Sequence, residues 1–410
     1  MTTHNWTQKL LPLPQEFAAE GSRHVAANRI RVTIVGDAPQ LQQAGQILRQ
    51  AIGASGTDRV ELTIEVGTYA DQSEQHPLQD LSHLANAEQA YQITTVSDDR
   101  IVISGQGPVG GVYGAMTMAQ LLTAPAGRRI HIPLLQVVDW PDINQRGLWN
   151  FPEGDEWIDW LAPLKLNYGK MADTRLTPVR RGRRNTATVE VERMQKARRL
   201  GFEYIPYVLH LNFLHGVDLF RAYPELAGKG DGALAGRYFA HKQGNQHRAP
   251  CASEPRLVTV LSEWLQSIAS QGADEVSCWL SERPCQCECE RCTPVGQFVL
   301  ETRAFVAAWE NVRSTYPDLL IRIFSSTTTP EQDDQILAEL PAAVRFERAC
   351  ASGMERVRHQ PRDLFANPLL DVAASEGRWI ASYDVPIGAY GNVDTPETKV
   401  PQYSAQRIRD

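Results

Sequence analysis

Several things are missing from this sequence, and each absence narrows what the chain can be. It has no apolar run of about 18 residues, so no membrane-spanning helix is expected. The opening, MTTHNWTQKLLPLPQEF, lacks the basic start and long apolar stretch of a secretion signal. Basic charge is in short supply: 41 Lys and Arg stand against 48 Asp and Glu, for a net charge of −7. A nucleic-acid partner needs the opposite field. Cysteine is scarce and odd in number, seven in all, with four crowded into Cys285–Cys292, which is not how a disulfide framework is spaced. These absences together point to a cytoplasmic protein with neither a nucleic-acid nor a membrane partner.

What is present suits a globular chain with real cores. The 410 residues are 42% hydrophobic and 22% charged, and the length favours two domains. Residues 1–138 mix short strands and helices in an α+β pattern. IRVTIV (30–35) and VELTIEV (60–66) read as strands, with Leu41, Ala44, Ile47, Leu48 and Ala51 at helical spacing between them. AYQITTVSDDRIVISG (90–105) reads as a hairpin turning at Ser97-Asp98-Asp99. In GPVGGVYGAMTMAQLL (107–122), glycines precede a helix; they fit neither a Walker loop nor GxGxxG, so tight helix–sheet packing is the expected role.

From residue 139 to 410 the rhythm becomes strand then helix, repeated, which implies parallel strands with crossover helices. Seven strands are expected at 145–151, 166–172, 202–211, 275–281, 319–326, 344–350 and 378–384. That spacing predicts an α/β fold, a (β/α) barrel of TIM type with seven strands present and the eighth missing. A long irregular stretch, roughly 214–255, follows the third strand. It is either a loop on the C-terminal face, where barrel sites are built, or a disordered insertion.

Residues 85–210 resemble a known family. AYQITTVSDDRIVISGQGPVGGVYGAMTMAQLL, with Gly107, Gly110, Tyr113 and Gly114 at the helix start, and the Asp139, Pro141, Arg146, Gly147 pattern after it, resemble the small domain ahead of the barrel in glycoside hydrolase family 20. Related small domains precede the barrels of family 67 α-glucuronidases. LAPLKLNYGKM and RRLGFEYIPY are similar to that family's second and third barrel strands. The resemblance implies a glycosidase acting on a carbohydrate, exo-acting and hexosaminidase-like or α-glucuronidase-like. It also implies that Arg146 matches a first-strand arginine that grips sugar hydroxyls. Two positions depart from the family. Ser281-Glu282 stands where hexosaminidases carry Asp-Glu, so the acid is kept and the partner of the substrate acetamide is lost. The second strand reads Lys170-Met171-Ala172-Asp173, without the family's histidines.

Glycoside hydrolysis normally uses two carboxyl groups, and barrel chemistry sits at the C-terminal ends of strands. Glu282 follows the fourth strand, and Glu347 and Asp384 lie in or after the sixth and seventh. Each can equally be a helix cap or an arginine partner, with Arg283 and Arg348 adjacent. Arg146, Trp149, Asp173, His210 and Tyr383 are the candidate substrate-binding residues, alongside Tyr207, Trp279 and Tyr390. For any single ring, core packing competes with stacking on a pyranose; Arg146 can also tie the domains together. Cys285, Cys287, Cys289 and Cys292 are candidate ligands of a structural zinc, with Cys251 able to replace one of them; reduced thiols in a tight loop are the alternative. No cofactor is expected for catalysis. The rival to an enzyme is a catalytically weakened carbohydrate-binding or scaffold protein on the same barrel, and a zinc-stabilised interaction module is a third reading.

Overall fold

The computed structural model of the chain describes residues 6–53, 59–122, 129–150, 155–170, 174–234, 247–282, 284–326, 328–349 and 368–383. The chain packs as two compact units, Met1–Lys170 with Glu192–Tyr204, and Met171–Val191 with Ile205–Asp410.

The first unit is built on a six-stranded mixed sheet. Its strands are β1 (Glu16–Ala26), β2 (Ile30–Ile34), β3 (Leu62–Thr68), β4 (Tyr91–Ser97), β5 (Arg100–Gly105) and β6 (Arg129–Asp139), in the order β1-β6-β4-β5-β3-β2. β2, β3 and β5 run parallel, while β4 pairs antiparallel with both β5 and β6, and β1 antiparallel with β6. Helix α1 (Pro39–Ile52) starts on proline, which needs no N–H there, and buries Leu41, Ala44, Leu48 and Ile52. It stops at Gly53, whose φ of 72° is cheap only without a Cβ. A single turn, α2 (Tyr69–Gln72), follows β3. Helix α3 (Pro108–Leu121) is apolar on every side and buried at ten of its fourteen positions. It packs on α1 and on β5. A Cβ on Gly110 would overlap the Ala90 carbonyl oxygen, so these glycines bring helix and sheet backbones into contact.

The same unit holds β7 (Gly147–Asn150), helix α4 (Glu156–Leu161) and β8 (Tyr168–Lys170), with β7 and β8 parallel. Asp139, at the end of β6, accepts hydrogen bonds from Lys165 Nζ at 2.6 Å and Tyr91 Oη at 2.8 Å. All three side chains are buried, so the lysine and the carboxylate neutralise one another inside the protein.

In the second unit a short antiparallel pair, β9 (Arg175–Leu176) and β10 (Ala187–Thr188), comes first. Helix α5 (Val191–Arg199) and β11 (Glu203–Ile205), which lies beside β8, belong almost wholly to the first unit, and the second resumes with β12 (Tyr207–Val208). Pro206 divides the expected third strand in two, since it offers no N–H to a ladder. β12 opens a five-stranded, wholly parallel sheet that continues through β13 (Glu275–Trp279), β14 (Leu320–Ser325), β15 (Arg345–Ala349) and β16 (Ile380–Tyr383), in chain order. Helices fill the connections: α6 (Leu219–Ala222), α7 (Pro255–Ala269), α8 (Gln297–Arg313), α9 (Pro330–Glu339) and α10 (Pro368–Ser375). α7 packs on β13 and α8 on β14. α9 begins with a complete capping box between Thr329 and Gln332. In the irregular stretch after β12, the described residues 211–234 and 247–254 form short turns pinned by backbone bonds, among them Ala249 N–H to Ala233 O and Cys251 N–H to Leu226 O, both at 2.8 Å. Among the described residues, no helix is long and apolar enough to cross a membrane.

Replacing Gly110 by alanine should force α3 away from β4 and cost roughly 1–3 kcal/mol or more. A urea midpoint unchanged from the native protein would show that the close approach is not needed.

Candidate active site

In a parallel sheet, residues in register present their side chains to the same face. Tyr207 is in register with Ser277, Ser277 with Arg322, Trp279 with Phe324, and Phe324 with Glu347. These residues therefore line one face of the five-stranded sheet. The lower part of that face is charged. Arg322 is completely buried; its Nε donates to Glu275 Oε1 at 2.6 Å and its Nη1 reaches Glu347 Oε2 at 3.4 Å. Arg345 also bonds Glu275, and the Trp379 ring lies 4.7 Å from the Arg322 guanidinium. Nearer the C-terminal ends the face becomes aromatic. Tyr207 and Trp279 stack at 4.2 Å, and Trp279 also meets His210 at 4.8 Å and Phe324 at 5.4 Å. Both stacked rings are half-buried, which leaves part of each in reach of a ligand.

Glu282 follows directly on this aromatic shelf. Its backbone is held from two sides: its N–H donates to Asn212 Oδ1 at 3.1 Å, and its carbonyl accepts from Ser326 Oγ at 3.3 Å. Its side chain is half-buried. Asn212 is fully buried, and its amide nitrogen has no partner among the described residues. His210 donates from Nδ1 to the Leu280 carbonyl, which orients its ring against Trp279. Ser281 points the other way: its N–H and Oγ donate to the two oxygens of Glu301 at 2.8 and 2.6 Å. Gln297, one turn earlier on α8, donates to Glu301 at 2.8 Å and to the Pro250 carbonyl at 2.9 Å. Burial pushes the Glu301 carboxyl up to about 7, although all three hydrogen bonds pull it down.

The expected site residues are thus distributed unevenly. His210 joins Tyr207 and Trp279 on the shelf, with Glu282 next in the chain. Glu347 lies on the same face but is buried against Arg322. Arg146 precedes β7 and so stands at the N-terminal end of that strand. Its guanidinium donates to Gln89 Oε1 at 3.0 Å and to the carbonyls of Asn144 at 3.0 Å and Lys165 at 2.8 Å, with Ile143 as a further acceptor. It borders a cavity of about 280 Å³ that Tyr91, Tyr113, Asp139 and Lys165 also line. Trp149 is on β7 and Tyr383 ends β16. Asp173 and Asp384 lie outside the described residues, as do Arg283 and Tyr390. The thiols need a correction. Cys287, Cys289 and Cys292 gather with Cys251, their sulfurs within 4.8 Å of one another, and Cys285 is not among them. Cys285 is instead packed with Ala233 and Ala249, in an apolar contact that the alternate spacing of the cysteines did not foretell.

Sequence reasoning missed Asn212 and Glu301. An asparagine in an irregular stretch and a glutamate on a helix carry no local signal. Only the folded chain shows that one holds the Glu282 backbone and the other the residue before it.

Residues 7–140 match the sequence profile of glycosyl hydrolase family 20, domain 2. That stretch is thus similar to domain 2 of the family, and the match does not extend past residue 140. No curated protein matches it in sequence. Among solved structures it is similar to the β-N-acetylhexosaminidase from Bacteroides fragilis, with a TM-score of 0.61 at 13% identity over 98% of this chain and 83% of that one. It is also similar to the chitobiase of Flavobacterium johnsoniae, with a TM-score of 0.58 at 14% identity over 98% of this chain and 64% of the other. For the exo β-N-acetylglucosaminidase of Vibrio harveyi, the TM-score is 0.55 at 14% identity, covering 84% and 61%. The chain thus spans under two thirds of the length of the latter two proteins. At these identities the likeness concerns the fold.

Glu301 makes a pH prediction. In the fold it keeps its proton to about pH 7, against an ordinary value of 4.5, so the folded state binds more protons between the two. Stability owed to this residue is therefore greatest below pH 4.5 and falls as the pH rises towards 7. Glu301→Gln cannot titrate, so the stability of the native protein relative to this variant should fall by roughly 3 kcal/mol across that window. Parallel pH profiles for the two proteins, followed by denaturant unfolding, would rule this out.

Proposed function

We propose that the chain is a glycoside hydrolase that removes a terminal sugar, with Glu282 as the general acid, on a (β/α) barrel of residues 139–410 behind an α+β domain of residues 1–138. The observation that carries this reading is Glu282 itself. It follows the fourth parallel strand, its backbone is clamped by Asn212 and Ser326, and two stacked, half-buried rings precede it. A pyranose ring resting on Trp279 or Tyr207 would place its glycosidic oxygen near a carboxyl at the strand ends, where barrel enzymes work. The run of parallel strands with helices between them supports a barrel, and the similar structures are named as hexosaminidases or a chitobiase. Asp384, next in sequence after β16, is the proposed second carboxylate, with Asp173 as its alternative; Tyr383, Trp149 and His210 are proposed to contact the sugar. The free thiols fit a reducing, cytoplasmic setting.

Ser281 bears on specificity. Substrate-assisted cleavage of an N-acetylhexosamine wants a carboxylate orienting the acetamide just before the acid. Here that position is a buried serine whose two donors are taken by Glu301. The reading therefore favours a terminal glycoside that needs no 2-acetamido group, closer to α-glucuronidase-like than to hexosaminidase-like chemistry.

One observation favours the rival reading of a carbohydrate-binding protein without turnover. Glu347, a carboxylate expected to serve the reaction, is paired with Arg322. A panel of nitrophenyl glycosides and natural oligosaccharides separates the two. Hydrolysis is expected, with Glu282→Gln lowering kcat on an unactivated substrate by about 10²–10⁴-fold. A substrate with a good leaving group should lose far less, because it needs little protonation. Sugar binding without any turnover would establish the rival, and full activity in Glu282→Gln would remove the assigned acid.

A further inference from the structure

Four thiols from two separate segments converge beside the strand-end loops, outside the site described above. Cys251 lies just ahead of α7, and Cys287, Cys289 and Cys292 lie between β13 and α8. Cys251, Cys287 and Cys292 are buried and Cys289 is half-buried. The Cys251 sulfur stands 3.7 Å from that of Cys289 and 3.8 Å from that of Cys292. Disulfide sulfurs would be about 2.05 Å apart. Four sulfurs placed about 2.3 Å from one central ion, at the corners of a tetrahedron, stand about 3.8 Å from each other. Two of the six sulfur–sulfur distances have that value, and all four sulfurs lie within 4.8 Å of one another.

Polar groups stand close to these sulfurs. The Lys229 N–H donates to Cys287 Sγ at 3.3 Å. The Ser253 hydroxyl lies 3.2 Å from Cys292 Sγ and 3.4 Å from Cys251 Sγ. A thiol sulfur is a weak acceptor, whereas a metal-bound thiolate is anionic and takes such donors readily. The segments are also stitched together by backbone. Cys251 N–H bonds Leu226 O at 2.8 Å and Glu288 N–H bonds Lys229 O at 2.9 Å, so residues 226–229 hold both cysteine segments in place. Gln297 adds a further tie, accepting from Cys287 N–H at 3.0 Å while donating to the Pro250 carbonyl.

We propose that Cys251, Cys287, Cys289 and Cys292 bind one zinc ion in a closed four-thiolate site. With every position filled by sulfur, the ion has no open site for water or substrate, and its role is structural. It fastens the loop that follows β12 to the loop that follows β13, and so steadies the segment that begins at Glu282. The proposal stands whether or not the chain hydrolyses glycosides.

The full chain, purified under reducing conditions without chelator, is expected to carry one zinc per molecule. A mercurial thiol reagent should release that zinc as four of the seven cysteines react. Cobalt exchanged into the wild-type protein should show the intense visible bands and sulfur charge-transfer absorption of a tetrahedral thiolate centre, a readout that needs no variant to fold. Cys285→Ser should keep the full metal content, while Cys251→Ser and Cys292→Ser should lose most of it. Substoichiometric zinc with every thiol freely titratable, an octahedral cobalt spectrum, iron in place of zinc, or equal loss in Cys285→Ser would each overturn the proposal.

Discussion

A full positive charge with no exposed surface sits in the middle of the five-stranded sheet, and much of the second unit is arranged to tolerate it. Arg322 cannot shed its proton, so it has to be met by anions and by a polarisable surface. Glu275 and Glu347 supply the anions from the two flanking strands, and the Trp379 ring covers the guanidinium plane. This fixes the register of three neighbouring strands, because a slip of one residue would turn the arginine or its partners to the opposite face. It also divides the face by depth. The charged layer supports the sheet, and the aromatic layer lies towards the strand ends.

That division explains what was legible beforehand. The parallel strands and their spacing came through because βα repetition leaves a strong period in the chain, and β7, β8 and β13–β16 lie inside the expected segments. The place of Glu282 just past one of those strands was legible for the same reason. The partners of the remaining candidates were not, since they come from far along the chain. Glu347 meets a residue 25 positions away and Arg146 one 57 positions away. Both arginine contacts are consequences of packing, for which spacing along the chain offers no sign. The cysteines show the same limit at short range. Four thiols within eight residues read as one ligand set, yet folding turned Cys285 towards two alanines and brought in Cys251 from the other loop.

The site is held largely by residues that touch no substrate in the proposed reaction. Asn212 and Ser326 grip the Glu282 backbone, Glu301 grips Ser281, and Gln297 links Glu301 to the cysteine loop. Helix α8 is thus a strut that holds both Ser281, next to Glu282, and the cysteine loop at Cys287. A buried carboxyl is a costly choice for such a strut. Its three donors show what it gains in return, a fixed direction for each of the groups that bond it.

The glycine-rich helix α3 has a consequence for how the chain is made. A helix with no polar side must be covered all round. Part of that cover arrives late: the Tyr113 hydroxyl donates to the Gly201 carbonyl at 2.9 Å, and Gly201 belongs to the stretch Glu192–Tyr204 that closes the first unit. A ribosome that has released only the segment matching the family profile has therefore delivered the sheet and the helix but not the lid over them. During synthesis the nascent domain must wait, with an oily rod partly open to water, until some sixty further residues have emerged.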